Sequence, residues 1–156
     1  MGWFFRKRAR RSWARCLGLA AITGLRTSLG PAFAVRGLRG RTGLRRISYA
    51  LVIAELVVDK LPQTPARTKP LGLTARAASG GLVAGITHPG RGAGAGTVAA
   101  LLGAAAAVAA AFAGVRLRRG LTGLLGGGPF AGAVAGLLED TGAVALGSAI
   151  ESRWKH

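Results

Sequence analysis

Three observations predict an all-α fold of membrane-length helices. The run AGAGTVAALLGAAAAVAAAFAGV (93–115) holds 23 residues without a charge, and about 20 apolar residues suffice to cross a bilayer. The chain carries 22 Lys and Arg against 5 Asp and Glu, and these cations sit between apolar runs, in RKRARRSWAR (6–15), RGLRGRTGLRR (36–46) and RLRR (116–119). Such flanks suit a membrane protein, whereas a soluble nucleic-acid-binding domain has no use for the uncharged run. Small residues also recur every fourth position, at Ala77, Gly81 and Gly85 and at Gly128, Gly132 and Gly136. In lipid such stripes let helix backbones approach closely, either within one chain or between copies in a homo-oligomer.

The 156 residues make one domain's worth of chain, half of it hydrophobic. Residues 1–15 form a basic segment, 16–150 the helical membrane domain and 151–156 a short polar tail. Apolar segments cover 16–35, 47–59, 71–88, 93–115 and 121–150, so three to five spans are expected. The six basic residues between Arg6 and Arg15 place the N-terminus in the cytoplasm by the positive-inside rule. A complete crossing by 16–35 would then put the five arginines of 36–46 outside. That conflict favours a re-entrant or broken pair bending at Gly30-Pro31 and returning, with a simple crossing as the alternative. A cleavable signal peptide would suit the basic start and Ala32-Phe33-Ala34, but Arg26 interrupts the apolar stretch.

The connector KLPQTPARTKP (60–70) is too rich in proline for helix. THPGRGAG (87–94) reads as a turn. GLLGGGPF (123–130) reads as a break followed by a helix with Pro129 in its first turn. The first and last apolar segments share a pattern: Gly24-Leu25-Arg26 then Gly30-Pro31, and Gly114-Val115-Arg116 then Gly128-Pro129, with carboxylates following each. Duplication and chance in an Ala/Gly-rich chain both account for it. Arg over Lys, with abundant Ala and Gly, suggests a GC-rich bacterial genome.

Four of the five carboxylates lie in or at the ends of apolar runs: Glu55, Asp59, Glu139 and Asp140. A charge at mid-bilayer costs about 2.5–3.5 kcal/mol on insertion scales, so such groups face protein or water and find partners. On a helix Glu55 and Asp59 share a face. Their candidate partners are Arg26 and Arg76, with Lys60 and Arg67 close in sequence. These eight residues form the candidate intramembrane polar centre, either a permeation or proton-relay path or an ion-pair network holding helices together.

At ELVVDKLPQTPART (55–68), preceded by Gly24-Leu25-Arg26, the chain resembles a bacterial membrane family catalogued as domain of unknown function 4126. The resemblance covers roughly residues 16–150, and Ala66 departs from the expected Ser. It implies an integral membrane protein and supplies no activity. No enzyme, cofactor or metal site is expected. Cys16, His88 and His156 are scattered, and neither a GxSxG nor a Walker motif is present. The expected protein is multi-pass in the inner or plasma membrane, its basic flanks against anionic lipid headgroups. It is transporter- or channel-like for an unknown substrate, or else a structural or assembly protein.

Overall fold

The computed structural model describes residues 2–36, 43, 46–47, 49–53, 69–90 and 92–152. Among them the chain is helical, with no strand. Five helices follow in order: α1 (Gly2–Leu25), α2 (Leu29–Arg36), α3 (Pro70–Thr87), α4 (Ala93–Leu124) and α5 (Gly128–Ser152). Residues 49–53 are also helical, and Val52 packs against the core. Two helical stretches, Gly94–Leu124 and Gly128–Ser152, are long and apolar enough to cross a membrane.

The first break falls at residues 26–28, not at Gly30-Pro31 as the sequence suggests. The Arg26 amide still donates to the Ile22 carbonyl, and the chain then turns, with the Leu29 amide donating to Arg26. Pro31 sits inside the first turn of α2, where a missing N–H costs nothing. From there α2 runs back along α1. A Cβ at Gly30 would strike the Thr23 methyl and come within 2.8 Å of the Leu19 carbonyl.

The arginines 116–119 do not end α4. Arg and Leu are good helix formers, and the helix continues to Leu124, stopping where Gly126, Gly127 and Gly128 adopt positive φ. Pro129 then occupies the first turn of α5, as expected. Pro70 likewise opens α3.

Helices α1, α3 and α4 meet through small residues. Added Cβ atoms at Gly24 and Gly103 would strike the carbonyl of Ala107 and the methyl of Ala84; one at Gly80 would lie 2.7 Å from the Gly103 carbonyl. Leu19, Ile22, Leu29, Phe33, Val83 and Ala143 fill the core between α1, α2, α3 and α5. The Phe33 ring occupies the space that a side chain at Gly147 would need. A Cβ at Gly81, of the predicted stripe on α3, would stand 3.1 Å from the Ala100 carbonyl, so that position packs closely on α4. Added Cβ atoms at Gly128 and Gly132 would meet nothing within 4 Å, and Gly136 lies under the Arg118 guanidinium. The doubled GxxxG of α5 is therefore no close helix crossing among the described residues.

Register along α4 orders the rest. Cys16 clusters with Ala84 and Ala99, Gly24 faces Ala107, and Leu25 faces Gly114. Helix α1 is thus parallel to α4. Helix α5 is antiparallel to it, with Gly136 near Arg118, Glu139 near Gly114, and Ile150 farther back against Gly18.

Candidate functional site

The break after α1 gathers the polar residues. When a helix stops, its last carbonyls need donors, and here α3 supplies them. Arg76 Nε donates to the Gly24 carbonyl at 3.1 Å, and Ser79 Oγ donates to Thr27 at 2.9 Å. A second arm of Arg76, Nη1, donates to its own helix at Gly72, 3.1 Å away. A cation here also suits the negative end of the α1 dipole. Arg76 is buried.

Arg26 reaches across to α5. Its Nε donates to Asp140 Oδ1 at 2.8 Å, and Nη2 donates to the same oxygen. Their side chains are 6% and 20% exposed, so the pair sits mostly out of solvent. Charge-assisted bonds of this kind are stronger than neutral ones. Glu139 is buried beside it. Its Oε1 would stand 3.0 Å from a Cβ on Gly114, and the Leu25 Cδ2 would stand 2.9 Å away. The absent side chain at Gly114 is what admits the Glu139 carboxylate.

Four of the eight predicted site residues are thus brought around one break: Arg26, Arg76, Glu139 and Asp140. Glu55, Asp59, Lys60 and Arg67 lie outside the described residues. The adjacent pair Glu139-Asp140 serves two directions at once, since neighbours on a helix diverge by about 100°. Sequence reasoning offers Arg26 a partner in Glu55 and misses Asp140, which is 114 positions away. It also misses Gly24, Ser79 and Gly114, whose roles depend on which helices cross.

The centre's depth follows from α4. Gly114 lies ten residues beyond the midpoint of 93–115, or about 15 Å along a helix. The cluster therefore sits near one end of the uncharged run, about half a turn before Arg116.

Elsewhere, Cys16 Sγ donates to the Ala84 carbonyl at 3.3 Å, and His88 Nδ1 lies 2.5 Å from the Gly85 carbonyl. Among the described residues no three of His, Cys, Asp and Glu gather as metal ligands. An open apolar groove of about 600 Å³ runs along α3 and α4, lined by Ala77, Gly81, Leu82, Gly85, Ile86 and Ala100. It carries no charged group. Comparison with protein-family models, with curated proteins and with solved structures gives no match.

Proposed function

We propose that this is an integral membrane protein whose broken helix α1–α2 holds an arginine–carboxylate centre able to bind and pass a proton or small cation. The observation that carries the reading is the Arg26–Asp140 pair inside the break. Broken helices expose backbone carbonyls and charged side chains within the membrane, and transporters build their ion sites from them. Two further features support the setting. Leu101, Leu102 and Val98 on α4 and Leu137, Leu138 and Leu146 on α5 are exposed, and water is a poor solvent for such a surface. The charged groups around the break, Arg26, Arg76 and Glu139, are buried in contrast, the reverse of a soluble bundle. The resemblance of residues 55–68 to a bacterial membrane family agrees with this placement and adds no activity.

The expected location is a bacterial inner membrane with the N-terminus cytoplasmic. Direction of α2 fits that orientation: it ends at Arg36 heading back toward the end where α1 begins.

A second reading makes the cluster a clamp without transport. It is favoured by Arg76, whose Nε and Nη1 donate to backbone carbonyls of α1 and α3. Flux separates the two. Purified chain in vesicles with an internal pH-sensitive dye should dissipate an imposed proton gradient, or a potassium gradient, faster than empty vesicles. Asp140→Asn with Arg26→Gln should abolish that flux while the helical signal persists. Unchanged flux in the double variant, or none in the wild type, would leave only the clamp.

A further inference from the structure

The end of the α4–α5 hairpin combines two surfaces that demand opposite solvents. Arg116 and Arg119 are exposed. So are Leu117, Leu124 and Phe130, the last two 86% and 82%. In hydrocarbon the arginines are costly, and in water the leucines and Phe130 are. Only the headgroup zone, some 5–8 Å thick on each side of the hydrocarbon, accepts both.

Length places Arg116 and Arg119 there. Helix α4 has 32 residues, about 48 Å at 1.5 Å each, against about 30 Å of hydrocarbon and 40–45 Å with headgroups. The uncharged run 93–115 fills the hydrocarbon, so Arg116 begins the surplus.

Helical geometry then sorts the surplus end. At 100° per residue, Arg116, Arg119, Gly120 and Gly123 fall within about 100° of one another. Leu117 and Leu124 fall on the neighbouring face. Arg118 points the opposite way, its guanidinium over Gly136 and its Nη2 3.4 Å from the Gly132 carbonyl. One arginine thus locks the hairpin while two face outward. Added Cβ atoms at Gly120 and Gly123 would meet nothing within 4 Å, so the helix surface just beyond the two arginines is a shallow, open notch.

We infer that Arg116 and Arg119, with the bare backbone at Gly120 and Gly123, form a binding notch for the phosphate of an anionic phospholipid. The inference rests on the membrane reading and names a lipid partner for it. Guanidinium groups recognise phosphate oxygens in pairs, the glycines let the headgroup approach the helix, and Leu117 lies where its acyl chains begin.

The test uses the full chain in vesicles, with Cys16→Ala and a fluorophore on Ala113→Cys, one turn from Arg116. Brominated phosphatidylglycerol and brominated phosphatidylcholine serve as local quenchers. The wild-type background should prefer phosphatidylglycerol. Each of Arg116→Gln and Arg119→Gln should lower the relative association constant about fivefold, which is the ~1 kcal/mol a basic residue contributes near an anionic surface. Gly120→Leu with Gly123→Leu, which keeps both charges, should also lower it, and Arg46→Gln should not. Unchanged preference in the arginine variants overturns the site. Unchanged preference in the leucine variant reduces it to diffuse charge, and relief of quenching by millimolar inorganic phosphate makes it a soluble-anion site. Either result overturns the lipid notch. Retention in carbonate-washed membranes without any preference sinks the notch alone, whereas release from them sinks the membrane reading and the notch with it.

Discussion

The arginine in the break shows how far single residues can be read. Arg26 stands out in sequence because it interrupts an apolar stretch, and a buried charge must have a partner. That much was legible. The identity of Asp140 as a partner was not, because it depends on α5 lying antiparallel beside α4, a fact no local pattern encodes. The only hint is that Glu139-Asp140 are carboxylates stranded in another apolar run. Removing one member of a buried pair leaves the other uncompensated and typically costs about 3–5 kcal/mol, while replacing both can be near neutral. Arg26→Gln and Asp140→Asn should therefore each lower the melting temperature in detergent by several degrees. The double variant should recover most of the loss. Strictly additive losses would show that the two side chains do not interact. Arg76→Lys probes a different bond: a single ammonium cannot reproduce the Nε and Nη1 bonds to Gly24 and Gly72. It should destabilise the chain by about 1–3 kcal/mol, the cost of leaving a buried carbonyl unsatisfied, as read by chemical denaturation in mixed micelles.

At the scale of elements, hydropathy and prolines located most helices, and backbone chemistry corrected their ends. Pro70, Gly128-Pro129 and the turn at His88 fell where residue types predict. The break at 26–28 did not, since a proline in a helix's first turn is tolerated. The end of α4 also moved, because positive charge alone does not stop a helix. Glycine spacing proved the least informative signal. Gly24, Gly80, Gly103 and Gly147 leave no room for a Cβ, whereas added Cβ atoms at Gly128 and Gly132, in the more conspicuous doubled GxxxG, would meet nothing within 4 Å. Spacing reports only that a face is small, not that a neighbour fills it. Gly24→Ala and Gly147→Ala should each cost about 1–3 kcal/mol through overpacking against the Ala107 carbonyl and the Phe33 ring. Gly132→Ala should instead raise stability by about 0.5–1 kcal/mol, as expected for glycine in a helix interior. A loss at Gly132, together with a smaller particle by light scattering in detergent, would mean that a second copy packs on this stripe.

For the whole molecule, the arrangement of charge sets orientation. Parallel packing of α1 and α4 puts the basic residues of 6–15 and the arginines of 116–119 toward opposite ends of the bundle. The positive-inside rule cannot satisfy both, and counting decides: six cations stand in the first group and three in the second. If the returning α2 delivers the five arginines of 36–46 to the first end, the imbalance grows to eleven against three. That difference predicts a cytoplasmic N-terminus with the α4–α5 hairpin on the other side. With Cys16 replaced by Ala, a membrane-impermeant maleimide applied to intact cells should label Gly123→Cys and leave Gly43→Cys unmodified until the cells are opened. Both sites suit labelling, being exposed with nothing within 4 Å. The same-side outcome carries equal information. If both cysteines react from outside, residues 16–35 cross completely and α2 does not return its arginines to the cytoplasm. If neither reacts until lysis, α4 does not carry its C-terminal end across, and the apolar surface of α4 and α5 must be covered by something other than a bilayer.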